Sequence, residues 1–399
     1  ASSYHGGEKE DYDAHSHNIG NVIDGDANAW NAMLAISRGG LTDNADYQLM
    51  QGNNPDGSNN TNFPNYLDMP NYINYMLVNI YMGMLDWPHH NYYAARKRTP
   101  DSTGYKSFCW DSEGAFRVTD VTGVNNGIAE MYDDLRANAE FNLRFADHVQ
   151  HHMFNNGVLT ATPSMQRFSE LSAGMEFGVI TEQARWGHIS HAAWQGRRDT
   201  HLNYLTTRTG VTLGFLEGAG LYPPMDAPVF NQQGGVTPMG FSLSMTITNP
   251  GSIYYTLDGS DPREYGTGDP VGLLYTNAWP LRWNVKVRAR SRHTNGTWSA
   301  LNEALFTLPG ASPLRVTEVM FHAVPSANPA FTGSDFDFIE LQNTSTQVIG
   351  LVGLQLDGGI DFDFSEGHVA SLNPGEFVLV VDNLAAFTNR YPNWMSWAI

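Results

Sequence analysis

Apolar residues recur at helical spacing through the first half of the chain and in short alternating runs through the second. From Asp24 onward Trp30, Met33, Leu34 and Ile36 fall on one face up to Gly39-Gly40, which predicts a first helix and its stop. Gln51 to Asn65 is rich in Gly, Asn and Pro and reads as an exposed loop. Asp68 is then an N-cap with Pro70 just inside. Tyr72, Ile73, Met76, Leu77 and Ile80 follow at i, i+3 and i+4 spacing, which predicts a largely buried helix. The period changes next. Tyr92–Arg98 and Tyr105–Trp110 are aromatic-rich runs joined by Thr99-Pro-Asp-Ser-Thr-Gly104, a hairpin pattern. Helical patterning resumes over Ala129–Phe154, Met165–Trp186 and Asn203–Glu217, the last stopped by Gly218, Gly220 and Pro223-Pro224.

After Pro228 the runs Phe241–Thr248, Ser252–Leu257, Val285–Ser291 and Ala304–Leu308 alternate with Gly/Pro/Asn turns at the spacing of a β-sandwich. Pro309-Gly-Ala-Ser-Pro313 reads as a linker. A second set follows at Leu314–Phe321, Asp337–Gln342, Ile349–Leu356 and Glu376–Val381. The expectation is a multidomain chain: a mainly α, α+β part over 1–224, then all-β sandwiches over 225–309 and 313–399. Residues 1–20 show no periodicity and are expected to be irregular, and the chain stops at Trp397-Ala-Ile399, which suggests a cut inside the last domain.

Composition narrows the classes. A 41% hydrophobic fraction with 12% aromatics supplies cores and excludes wholesale disorder. The net charge is −19, and the four lysines (Lys9, Lys97, Lys106, Lys286) form no basic run. No nucleic-acid partner is expected, because counterion release needs clustered cations. Acidity with few lysines fits an extracellular or cell-surface setting, or a preference for cations. Cys109 is the single cysteine, which excludes an internal disulfide framework and a cysteine-based zinc site. No membrane span is expected, since no run approaches the ~20 apolar residues required. The opening residues lack a signal-peptide pattern, so a targeting segment, if one exists, lies outside this chain.

The most informative block is Leu85-Asp86-Trp87-Pro88-His89-His90-Asn91, followed by the hairpin and by Trp110-Asp111-Ser112-Glu113-Gly114. A buried helix, an Asp, an Asn a loop-length on, two strands and an acidic turn are the parts protein kinases use for phosphoryl transfer, in that order. Asp86 then takes the base-like place, Asn91 and Asp111 hold a metal, and Glu113 is a second carboxylate; hard oxygen donors suit Mg²⁺. The plainer reading is that these residues cap and fix loops. Other groupings carry less. His5, His15 and His17 with Asp11 and Asp13 are read as a polar, flexible terminus rather than a metal site. His148 and His152 stand at i, i+4, a zinc-compatible spacing, but no metalloprotease acid accompanies them, so a helix face is favoured. Asp133/Asp134 and Asp361/Asp363 are formal candidates for a glycosidase or a Ca²⁺ site, although nothing in their spacing selects them.

Residues 1–224 resemble the C-terminal half of a CotH-type, spore-coat kinase-like domain. The resemblance rests on Val22-Ile-Asp-Gly-Asp-Ala-Asn-Ala-Trp30, Tyr66–Tyr75, Asp86-Trp-Pro-His-His-Asn91, Trp110-Asp-Ser-Glu113 and Gly220-Leu-Tyr-Pro223. It implies an atypical protein kinase fold that uses ATP with Mg²⁺ or Mn²⁺ to phosphorylate Ser/Thr hydroxyls on proteins. It places the catalytic acid on Asp86 and a metal-binding acid on Asp111. Glu113 departs from the family's Asp-x-Asp. So few residues precede the first motif that the nucleotide lobe is expected to be missing, which leaves a fragment of low activity by itself. Ser252–Pro262, with Val285–Arg290 and Trp298-Ser, is similar to the β-sandwich appended to chitobiases. Leu314–Met320, Phe338–Asn343 and Asn373–Val380 resemble a lamin-tail domain, an immunoglobulin-like sandwich. The rival readings are a carbohydrate-binding or adhesion protein presenting exposed Trp and Tyr to a cell-surface polysaccharide, and a polysaccharide- or ester-directed hydrolase.

Overall fold

The computed structural model describes residues 9–16, 21–99, 102–309, 313–321, 323–324, 331–356 and 360–392. Helices concentrate in the N-terminal half and strands in the C-terminal half. The chain packs as two compact units: residues 1–226 with 264–269 and 298–301, and residues 227–263 with 270–297 and 302–399.

Among the described residues of the first twenty, a strand follows a short 3-10 turn where an irregular segment was expected. β1 (Tyr12–Ser16) lies between β2 (Val22–Asp24) and β3 (Tyr92–Lys97), and β3 pairs with β4 (Lys106–Cys109), giving an antiparallel sheet ordered β2-β1-β3-β4. The hairpin pattern at 92–110 is therefore realised as β3 and β4. The β1 strand was hidden because its buried positions are polar. Asp13 accepts from Arg98 Nε at 2.8 Å and from the Asp26 amide at 3.1 Å. His15 stacks on Trp30 with centroids 4.7 Å apart and meets Tyr105 Oη at 3.2 Å. Burial lowers the His15 pKa below the ordinary imidazole value and favours the neutral ring. Asp13 and His15 thus serve the fold, while His5 and His17 lie outside the described residues.

α1 (Asn28–Gly39) buries Trp30, Met33 and Leu34, as its period requires, and a short α2 (Asn44–Leu49) follows, capped by Asp43. α3 (Met69–Met82) starts as read, with the Asp68 carboxylate accepting from the Asn71 amide and Pro70 in the first turn. The expected helix over Ala129–Phe154 is two, α4 (Glu130–Leu135) and α5 (Ala139–Met153), because Asn138 turns the chain and caps α5. Its Oδ1 accepts from the Glu140 and Phe141 amides, while Nδ2 donates to the carbonyls of Leu41 and Asp43. α6 (Ala161–Trp186) and α7 (His191–Gly218) run as a helical hairpin around Gly187, which is left-handed at φ 67, with the Ser190 hydroxyl capping α7. α7 begins well before the expected Asn203, since its first turns are polar and exposed and leave no apolar period.

In the second unit a five-stranded sheet follows the order 273–274, 251–256, 285–293, 302–307, 235–236. Phe230, Leu243, Ile253, Val287 and Phe306 pack its core. Gly259 takes φ 83 in the turn after Asp258, as that turn demands. The buried Arg290 guanidinium donates to both oxygens of Asp261, at 2.8 and 2.6 Å. A three-stranded sheet of Leu314–Met320, Phe338–Asn343 and Phe377–Val381 follows, with Leu341, Leu351, Leu372 and Val378 beneath it. The run Ile349–Leu356 is broken into two short strands, and α8 (Leu384–Arg390) follows the last strand without an apolar signal strong enough to have shown it. Part of the expected linker, residues 310–312, and Trp397–Ile399 lie outside the described residues. Among the described residues no helix is long and apolar enough to cross a membrane.

Asn138→Ala removes a cap and takes the side-chain donor from the buried Leu41 carbonyl. The expected cost is about 2–4 kcal/mol, read as a lower urea midpoint for the first unit, with Asn138→Asp recovering only the cap.

Candidate active site

The site is built on the end of α3. Gly83 closes that helix at φ 59, and a Cβ there would overlap the Arg117 carbonyl oxygen, so the returning chain lies directly on the helix end. The Phe116 amide donates to Met82 O at 2.8 Å and the Leu85 amide to Gly114 O at 3.2 Å. These bonds lay residues 111–116 beside residues 82–86. The last carbonyls of α3 are satisfied from α7: Arg208 Nε donates to Tyr81 O at 2.5 Å and a terminal nitrogen donates to Ile80 O at 2.8 Å. Arg208 is 1% exposed, so a buried cation sits where the helix dipole is negative. Tyr204 Oη adds bonds to Tyr81 O and Arg117 O at 3.1 and 2.9 Å, joining the helix end to the returning chain.

From this platform the loop 85–91 projects. Trp87 is buried and its Nε1 donates to Tyr75 Oη at 2.7 Å. Burial pushes the Tyr75 phenol well above its ordinary value, so it stays neutral and accepts. The Trp87–Pro88 bond is cis, and Pro88 O accepts from the Ile128 amide at 3.2 Å. Asp86, Asn91 and Asp111 all take left-handed backbone, at φ 58, 58 and 49. Each such non-glycine residue costs on the order of 1 kcal/mol. Three outliers at three residues selected for chemistry are a concentration of strain of the kind functional sites carry.

Three of the four candidate residues meet. Asn91 is buried and its Nδ2 donates to Asp111 O at 3.3 Å, while its Oδ1 accepts no bond among the described residues. Asp111 heads the turn Ser112–Gly114, and its carboxyl shares a hydrogen bond with Glu113 that pushes Glu113 above the ordinary glutamate value. The negative charges of Asp111 and Asp86 add to that rise. Asp86 itself stands apart from the pair, reaching Glu113 through charge rather than a bond; its carboxylate is exposed, 3.7 Å from His89 Nε2. Neighbouring carboxylates are hard oxygen donors of the kind a divalent cation takes, and Asn91 is tied to the same turn through the Asp111 carbonyl. Among the described residues one group of His and acidic side chains brings three ligand atoms within 4.8 Å of one another: Asp86, His89 and His90. The one signal of both histidines in the sequence is their position inside the Asp86–Asn91 loop. Arg208 and the Trp87–Tyr75 bond had no local signal at all.

The other groupings resolve as structure. Asp134 accepts from Ser37 Oγ at 2.6 Å, and Asp363 caps the turn after it through the Ser365 amide at 2.8 Å. His148 Nδ1 and His152 Nε2 converge on Asn74 Oδ1 of α3, at 2.7 and 3.0 Å. Burial lowers both imidazoles to about 4, helped by Arg144 and His152 at His148 and by His151 at His152.

The family model described as CotH kinase protein matches residues 40–208, a span that holds Asp86, Asn91, Asp111 and Glu113 and ends at Arg208. This part of the chain is therefore CotH-kinase-like, while β1, β2, α1 and the second unit lie outside the matched span. No curated protein matches the chain.

Arg208→Met removes the charged donor from Tyr81 O and Ile80 O at a buried helix end, leaving them to the Tyr204 hydroxyl and the Gly83 amide. It is expected to lower stability by about 3 kcal/mol, measured by urea unfolding. For the histidine pair, the folded values near 4 lie below the unfolded 6.5. Between those pH values the unfolded chain binds protons that the folded chain resists, so this stability is present above pH 6.5 and is lost as pH falls toward 4. His148→Gln/His152→Gln should flatten the fall in melting temperature between pH 6.5 and 4; an unchanged slope would contradict the assignment.

Proposed function

We propose that the first unit carries metal-dependent phosphoryl transfer to Ser or Thr hydroxyls of a protein acceptor, in an extracellular or cell-surface setting. The reading rests above all on Asn91 and Asp111, which are separated by the β3–β4 hairpin, both held in left-handed backbone, and joined through Asn91 Nδ2 and Asp111 O. The family match over 40–208 gives the reading its chemistry, since a CotH-kinase-like domain implies ATP with a divalent cation. Asn91 Oδ1, Asp111 and Glu113 are the oxygen donors that would hold Mg²⁺ or Mn²⁺. Such an ion supplies charge neutralisation to the nucleotide phosphates. Glu113, raised first by its hydrogen bond with Asp111 and further by the charges of Asp111 and Asp86, sits where a divalent ion would offset the gathered negative charge.

Asp86 is the base. It is exposed at the loop edge, within charge range of the acid pair but not bonded to it, so it is free to accept a proton from an incoming hydroxyl. Its left-handed backbone and the anchored Trp87 hold the loop that presents the carboxylate before substrate arrives. Lys106 pairs with Asp68 at 3.6 Å, which leaves the phosphate-binding cation of the nucleotide side outside this assignment.

The sugar-binding alternative, built on chitobiase-type and lamin-tail-type modules, has less support. Trp279 and Trp283 are half-buried against the second unit's core, with Trp279 stacked on Tyr255 at 4.5 Å, and Trp298 is buried. Trp394 and Trp397 lie outside the described residues. The family match over 40–208 lends the hydrolase alternative no support.

Two substitutions separate the roles. Asp111→Asn should abolish the rise in melting temperature produced by Mn²⁺ with ATP. Asp86→Asn should keep that rise but lower transfer to a Ser/Thr acceptor by about 10²–10⁴-fold. A wild-type chain that shows no thermal response to nucleotide and metal removes the proposal.

A further inference from the structure

The loop that presents Asp86 also presents two imidazoles that the phosphotransfer reading leaves unused. Ligand atoms of Asp86, His89 and His90 lie within 4.8 Å of one another, with His89 Nε2 3.7 Å from Asp86 Oδ1. The two rings are 4.4 Å apart between centroids and tilted by 49°. We propose that Asp86, His89 and His90 form a binding site for a borderline transition-metal ion, zinc above all, and that its occupation withdraws Asp86 from proton transfer.

Donor chemistry separates this site from the one assigned to Asn91, Asp111 and Glu113. Two nitrogens and one carboxylate oxygen are a zinc donor set, with further positions open to water on the exposed side. Magnesium favours oxygen donors and gains little from imidazole, so the two neighbouring sites would select different ions.

The loop is also held in shape before any ion arrives, which lowers the cost of gathering three side chains. Trp87 is pinned to Tyr75 at 2.7 Å and Pro88 O to the Ile128 amide at 3.2 Å. Gly127 packs so closely that a Cβ there would overlap the Pro88 carbonyl oxygen and crowd the His89 backbone. A carboxylate shared with a metal is a poorer base, because the lone pair that would take the hydroxyl proton is committed. The inhibitory consequence rests on the reading of Asp86 as base. Zinc binding does not.

The test is a zinc titration of the full chain against a chromogenic chelator. His89→Ala/His90→Ala should lose one zinc equivalent, or bind it at least about tenfold more weakly, while His148→Gln/His152→Gln keeps it. Circular dichroism and an intact thermal response to Mn²⁺ with ATP would show that the His89→Ala/His90→Ala chain is folded. A wild-type chain that binds no zinc, or equal zinc in wild type and His89→Ala/His90→Ala, overturns the proposal. If the zinc equivalent depends on these histidines but wild type shows no phosphoryl transfer, the zinc site stands and only the role of Asp86 as base fails.

Discussion

A buried guanidinium at the end of a buried helix carries the candidate site. Arg208 reaches from α7 to the Tyr81 and Ile80 carbonyls, and Tyr204 ties Tyr81 to Arg117 on the returning chain. A helix end buried without donors would leave carbonyls unsatisfied. Here a charge-assisted pair of bonds meets that need and fixes where α3 stops. Gly83 then turns the chain in left-handed backbone, in a space that only a residue without a Cβ can occupy. The position of the Asp86 loop relative to the acidic turn at 111–114 follows from these contacts, and most of them are made by backbone groups.

That construction explains why the site tolerates so much unfavourable local conformation. Asp86, Asn91 and Asp111 sit in strained backbone because Trp87, Pro88 and Phe116 are each tied to the core on one side of the loop or the other. The electrostatics run the same way. Asp111 and Glu113 crowd each other with Asp86 nearby, while Lys106 is paired with Asp68 and Arg98 with Asp13. Asp111 and Asp86 both act on Glu113 through their negative charge, which a divalent ion would offset.

Local signals in the sequence show some of this and conceal the rest. α3 is legible from Asp68, Pro70 and its apolar period, and the β3–β4 hairpin from its change of period. The spacing of Asp86, Asn91 and Asp111 suffices to nominate them, because their order along the chain survives in the fold. β1 is illegible since its buried Asp13 and His15 find partners some ninety positions away, at Arg98 and Tyr105. Asn138 interrupts a continuous apolar period, so α4 and α5 read as one helix. Arg208 looks like any arginine on a polar helix until the α3 carbonyls appear beside it. Long-range satisfaction of buried polar groups leaves no periodic trace, and these misses share that cause.

The most direct test of the account is paramagnetic broadening of backbone and Asn side-chain amide signals by substoichiometric Mn²⁺ in the ¹⁵N-labelled chain. A cation cradle at Asn91, Asp111 and Glu113 predicts loss of signal centred on the Asn91 side chain and the amides of 111–114, sparing the second unit. Broadening centred elsewhere, or none at all, would contradict it.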